Sequence, residues 1–198
     1  MTGPGRTITL AFLGDRDYVQ GATLLESLAD VCRNGTDIRF KVPRLITSDR
    51  LGVVPFDPEI GPGDTMEATL TWSAGGRRKA VGIRSLAPSP QPRREPFDEG
   101  LVIGDAVFSG NMATLAGRSP YSFVRTLVSL NKALLLRLLS PPEPGQWLFT
   151  RLDIASWYDR PTTLSLRFSA NLRFQAVSSE IAVDGEKVGS VLFSWLTR

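Results

Sequence analysis

Asp15 and Glu26 are the residues in FLGDRDYVQGATLLESLADVC, residues 12 to 32, whose types and spacing could do chemistry. Held together in an enclosed setting, two carboxylates repel, and one pKa rises by a few units, which makes a proton-transfer pair. In open water an aspartate, with a pKa near ~3.9, is a poor base at neutral pH. Each residue also has a plain reading. Asp15 caps the turn before a helix, and Glu26 shares a helical row with Ala22 and Asp30 that an exposed polar face would also produce. The 198 residues include no histidine and one cysteine, Cys32. Ser-His-Asp and Cys-His nucleophiles, histidine-ligated metals, Cys-based zinc sites and an internal disulfide are therefore excluded within the chain. No metal or other cofactor is expected, and the remaining catalytic material is carboxylates and backbone N–H groups.

The elements that must position these residues repeat. In the first half, TITLAFLG reads as a strand and residues 18 to 32 as a helix, with Leu24, Leu25, Leu28, Ala29 and Cys32 on one stripe. DIRFKVPRLIT then reads as a strand cut at Pro43, PFDPEIGPGD as turns, and MEATLTWS-AGG-RRKAVGIRSL as a hairpin. In the second half, LVIGDAVFSG reads as a strand and YSFVRTLVSLNKALLLRLL as a helix stopped by Ser140-Pro141-Pro142. Four strands follow, the last two joined at Asp184-Gly185. APSPQPRREP, with prolines at 88, 90, 92 and 96, favours an extended linker. The expected organisation is 1–86, a linker at 87–97, and 98–198. Phe12-Leu13-Gly14-Asp15 aligns with Phe108-Ser109-Gly110-Asn111 as a repeated strand-to-helix junction.

The net charge of +3 is modest. Arg77-Arg78-Lys79 and Arg93-Arg94 lack the interleaved aromatics of a single-strand binder, so no nucleic-acid partner is expected. They read as solvated loop charges or as a small patch that docks an acidic partner. No apolar run approaches the ~20 residues of a membrane span, and MTGPGRTITLAFLGD lacks a signal-peptide core, so no membrane association and a cytoplasmic location are expected.

A helix followed by antiparallel strands, twice over, resembles the hotdog fold. The residues are similar to those of the β-hydroxyacyl thioester dehydratases of fatty-acid and polyketide synthesis. Their G-H-F-P turn and P-G-V-L-x-x-E-A-x-A-Q helix resemble YVQGATLLESLADV, with Gly21 at the family glycine and Glu26 at its acid. IRFKVPRL, GPGDTMEATLTW and AVDGEKVGSVLFSW resemble the family's F-x-x-P-V, P-G-D-x-L and V-D-G hairpin signals. The resemblance implies an α+β double hotdog, two antiparallel sheets each wrapping a long central helix. It also implies acyl thioesters of acyl carrier protein or CoA as substrate, in secondary-metabolite, polyketide or fatty-acyl synthesis.

The family histidine falls at Asp15 and, in the second half, at Asn111, and the helix acid is replaced there by Val124 and Arg125. Several readings stay open. The chain is a histidine-free dehydratase-like subunit completed by a histidine-bearing hotdog partner, or an atypical dehydratase or isomerase using Glu26 and Asp15. Alternatively it is a Glu26-dependent thioesterase, or a non-enzymatic shell for a hydrophobic ligand. In the catalytic readings Gly21 offers a backbone N–H to the thioester carbonyl, and Tyr18 and Asn111 contact substrate. Tyr18, Tyr121, Trp147 and Trp157 either line an acyl tunnel or are plain core. Asp153, Tyr158 and Asp159 carry no role.

Overall fold

A computed structural model of the chain describes residues 5–63 and 65–197; Asp64, within the expected P-G-D signal, lies outside them. The chain divides into two compact units, Met1–Phe97 with Asp153–Trp157, and Asp98–Leu152 with Tyr158–Arg198.

In the first unit β1 (Arg6–Thr9) and β2 (Phe12–Leu13) replace the single strand expected over TITLAFLG. The break follows from where each piece finds partners. β1 pairs with β4 (Arg50–Pro55), while β2 turns aside to run parallel to β7 (Arg94–Glu95). Two short helices come next, α1 (Gly21–Ser27) and α2 (Ala29–Cys32), then β3 (Thr36–Lys41), β5 (Ala68–Ala74) and β6 (Arg77–Ser85). Strand order in the sheet is β1-β4-β6-β5-β3. β3 stops before Pro43, as its missing N–H requires. The β5–β6 turn places Gly75 at φ 59° and Gly76 at φ 71°, the two left-handed residues of a type I′ hairpin.

The helix expected over residues 18 to 32 is shorter at its start and interrupted. Val19 is held in an isolated bridge to Ile46, its N–H donating to the Ile46 carbonyl at 2.8 Å, so the chain stays extended until Gln20. At Leu28 (φ −104°, ψ 1°) the turn tightens, and Leu28 N donates to Leu25 O at 3.1 Å. Ser27 Oγ also donates back to Leu24 O at 2.7 Å, a side-chain bond that bends helices. The apolar stripe is buried as its spacing requires: Leu24, Leu25, Leu28 and Cys32 are inaccessible. The prolines of residues 87–97 do not leave that segment free. Asp49 Oδ1 accepts from Ser89 N at 2.8 Å and β7 seats on β2, so the segment is extended and tied to the first unit.

In the second unit the segment expected as one strand over LVIGDAVFSG is a single helical turn, α3 (Gly100–Ile103), and a short strand, β8 (Ala106–Ser109). β9 (Met112–Ala116) and α4 (Phe123–Leu138) follow, then β10 (Gly145–Ser156), β11 (Thr163–Leu172), β12 (Ala176–Val183) and β13 (Glu186–Thr197). The sheet order is β10-β13-β12-β11-β9-β8, and β10 continues from Asp153 into the first unit. Ser122 caps α4, its side chain accepting from Arg125 N at 3.4 Å. The helix packs on β9, β11 and α3 and is buried around most of its circumference. The row Arg125, Val128, Lys132, Leu136 and the last residues, Arg137 and Leu138, reach toward solvent. Asp184 (φ 51°) and Gly185 (φ 90°) make the expected hairpin turn between β12 and β13.

Candidate functional site

The segment from Gly14 to Glu26 is positioned by β2, whose Phe12 and Leu13 are buried, and by α1. Gly14 adopts φ 59°, which lets the chain reverse out of β2 at no steric cost. The loop beyond it is braced by a residue from the proline-rich segment. Arg94 Nη1 donates to Gly14 O at 3.1 Å and to Arg16 O at 3.0 Å, and Arg94 Nη2 pairs with Asp17. The Arg94 guanidinium also lies 5.9 Å from the Phe12 ring centroid. With its carboxamide oxygen turned toward Arg16, Gln20 accepts from Arg16 Nη1 at 3.0 Å and Nε at 2.7 Å. Arginine forks thus hold the loop from both ends.

Within this frame Gly21 is the first residue of α1 and half-buried, and Glu26 is half-buried near its end. Tyr18 is half-buried on the loop; Asp15 is exposed. The enclosed setting that a coupled carboxylate pair needs is absent at Asp15. Cys32 lies beneath, and burial pushes its thiol pKa up to about 11, so it is not a nucleophile at neutral pH.

Asn111 belongs to the second unit. Gly110 (φ 54°) and Asn111 form the tip of the β8–β9 hairpin rather than a strand-to-helix junction. Asn111 Nδ2 donates to Phe168 O at 3.0 Å, and its backbone carbonyl accepts from Phe168 N at 2.9 Å. Its side chain is tied to β11 from an exposed tip. The two units share a local order in another register: Gly14 and Tyr18 match Gly117 and Tyr121, each pair 103 residues apart. In both units a strand ends on a glycine of positive φ (Gly117 at φ 92°), a tyrosine follows four residues on, and a helix begins shortly after. The residue after the glycine, Asp15 in the first unit, is Arg118 in the second. A search for left-handed glycines followed by a common tyrosine spacing would have found this register.

The aromatic residues divide. Trp147 packs in the second unit's core, edge-on to Trp195 (centroids 5.0 Å apart) and 6.2 Å from Phe174. Tyr121 Oη accepts from Asp98 N at 3.1 Å. Trp157 is half-buried and groups with the first unit. One polar residue that sequence reasoning passed over stands out on α4. Asn131 is inaccessible, and neither its Oδ1 nor its Nδ2 has a hydrogen-bond partner. Lys132 beside it is paired with Glu99 at 2.8 Å.

No protein-family model matches the chain, and no curated protein matches it in sequence. Solved structures do match. A protein of Thermobifida fusca YX assigned as a thioesterase II is 10% identical, over 97% of this chain and 92% of that one, with a TM-score of 0.52. The bifunctional dehydratase-cyclase domain in ambruticin biosynthesis is 16% identical, over 97% and 90%, with a TM-score of 0.50. At such identities the likeness is one of fold. The chain shares the hotdog architecture of these proteins, a large antiparallel sheet with few helices. Among the described residues no helix is long and apolar enough to cross a membrane.

Proposed function

We propose that this chain handles acyl thioesters of CoA or an acyl carrier protein in fatty-acyl or polyketide-type metabolism, with Glu26 as its reactive group. The observation that carries the reading is the fold shared along 97% of the chain with a protein assigned as a thioesterase and with a dehydratase-cyclase domain. The two units are read as two hotdog halves, residues 1–86 and 98–198, joined through 87–97.

The placement of the carboxylates favours hydrolysis as the reaction this chain can run alone. Dehydration needs a base for the α-proton and an acid for the departing hydroxyl. Asp15, exposed, is ill suited to either task. Hydrolysis needs only one carboxylate. Glu26 takes a proton from water as the water oxygen bonds to the thioester carbonyl carbon. The tetrahedral oxyanion then collapses with cleavage of the C–S bond, and the proton passes from Glu26 to the leaving thiolate. Gly21 offers a backbone N–H for the oxyanion, and Tyr18 lies on the loop that substrate would pass.

The lack of any histidine supports a second reading, a dehydratase-like subunit whose base comes from a histidine-bearing hotdog partner. The test incubates purified chain with saturated, enoyl and β-hydroxyacyl thioesters on CoA and on carrier protein and reads the products by mass. Free acid that disappears in Glu26→Gln supports hydrolysis. Loss of water only after a histidine-bearing hotdog protein is added supports the subunit reading. Turnover unchanged in Glu26→Gln refutes the site, and no turnover under any condition leaves a ligand-binding shell.

A further inference from the structure

The outer face of the first unit's sheet carries a feature that the thioester reading does not use. Along β3, Ile38 and Phe40 point inward and are inaccessible, so Arg39 and Lys41 point outward. Register pairs Arg39 with Thr71 and Lys41 with Thr69 on β5, which brings two cations and two hydroxyls onto one face. From β6, Arg78 Nη2 donates to Thr71 Oγ1 at 2.8 Å. Phe56, Pro58, Gly61, Pro62 and Met66 lie over this face. Phe56 N donates to Ala80 O at 3.2 Å, and Met66 fills the space where Gly82 lacks a side chain, a Cβ there lying 2.6 Å from Met66 Sδ.

Between cover and sheet is a cavity of about 450 Å³, lined by Arg39, Lys41, Arg78, Thr69 and Thr71 and walled by Phe56, Met66 and prolines. Among the described residues every charged group lining it is a cation. Of the described acids nearby, Asp57 Oδ1 accepts from Glu59 N at 2.9 Å, and Glu67 accepts from Ser85 Oγ.

We propose that this cavity binds a phosphate ester carried on a nucleoside. Three cations with converging hydroxyl donors suit a phosphate, the volume is that of a small-molecule site, and the aromatic and thioether wall suits a base or ribose. Glu26 does not line the cavity, so the site stands or falls independently of the thioester reading. The same chemistry is presented by the 3′-phospho-ADP end of CoA and by free adenine nucleotides.

Calorimetric titration of the full chain with adenosine 3′,5′-bisphosphate, CoA, ADP and inorganic phosphate separates the sources. Bisphosphate and CoA binding alike, with ADP weaker, marks the CoA end; equal binding of ADP marks a free nucleotide. Arg39→Gln and Lys41→Gln each lower affinity about tenfold, as loss of a charge-assisted bond predicts. Arg84→Gln, exposed on β6 outside the lining, leaves it unchanged, and melting curves show that the variants are folded. Absence of binding up to millimolar nucleotide overturns the proposal. So does affinity that ignores Arg39 and Lys41 or falls equally in Arg84→Gln, and so does capture of an acidic protein without any nucleotide binding.

Discussion

Replacing Asn131 with leucine removes two polar atoms from the interior of α4 that bond to nothing. The side chain is inaccessible, and both Oδ1 and Nδ2 are without partners, among neighbours that include the fully buried Leu127, Leu130 and Leu135. A buried, unsatisfied polar group costs roughly 1–3 kcal/mol. Leucine has the same branching at Cγ and a helix propensity better by up to about 0.5 kcal/mol. Its larger end groups return part of the gain as crowding, a term of about 1 kcal/mol or more. The balance is a stabilisation of at most about 0.5–2.5 kcal/mol, which in a chain of this size raises Tm by roughly 2–4 °C per kcal/mol. Thermal melting and urea unfolding of Asn131→Leu measure it, with Leu130→Ala as the control that loses about 2–5 kcal/mol. A Tm lowered in Asn131→Leu refutes the reasoning, because it means that the carboxamide has a partner whose loss outweighs the apolar gain. A rise in Tm accompanied by lost thioester turnover would instead mark Asn131 as polarity kept for function at a cost in stability.

Gly145→Ala destabilises the second unit by about 1–3 kcal/mol or more, read by melting, because a Cβ there would lie 2.2 Å from the Leu196 carbonyl oxygen, a backbone atom that cannot rotate away. Arg94→Ala frees the carbonyls of Gly14 and Arg16 and the Asp17 carboxylate, so amide exchange quickens over residues 14–17 while exchange in β11 and β12 is unchanged. Arg6 holds the Asp30 carboxyl below the usual aspartate range through two bonds of 2.6 and 3.0 Å. The stabilisation is therefore full above the unfolded value near ~3.9 and fades as pH falls through the lower folded value. With the two side chains 40% and 60% exposed, Arg6→Gln costs at most about 1 kcal/mol at pH 7 in urea, and less in high salt and as pH falls.

Local chemistry made part of this fold legible. Gly75-Gly76 and Asp184-Gly185 adopt the left-handed pairs that two-residue hairpins require. The apolar stripe of Leu24, Leu25, Leu28 and Cys32 is buried, and the helix ahead of Ser140-Pro141-Pro142 ends at Leu138. What failed to show depended on contacts distant in sequence. β4 and β9 are strands of 6 and 5 residues, RLGVVP and MATLA, with too few alternations to announce themselves. The start of α1 was overestimated because nothing local signals that Ile46 holds Val19 extended. Asn111 was misplaced because Phe-x-Gly followed by a polar residue suits a hairpin tip as well as a strand-to-helix turn. The Arg39–Lys41 alternation is written in β3, but the cover that turns it into a cavity is not.

Each unit carries strand, left-handed glycine, tyrosine and helix in the same order, yet the helices differ in opposite physical directions. α4, sixteen residues long, contains no carboxylate and buries apolar side chains around most of its girth. Such a helix gains from packing on nearly every side and has little left to expose. α1 and α2 are broken at Leu28, by a tightened turn and the Ser27 back-bond, and carry Glu26 half-buried. A short, interrupted helix gives up cooperative hydrogen bonding. Arg94 and Arg16 anchor the loop ahead of it by electrostatics rather than by core packing. Where one unit's helix is buried on nearly every side and the other unit's keeps a carboxylate behind a charge-braced loop, the second is the place to look for chemistry. The asymmetry therefore directs the search to Glu26, and a folded Glu26→Gln protein that turns over no thioester is the outcome it requires.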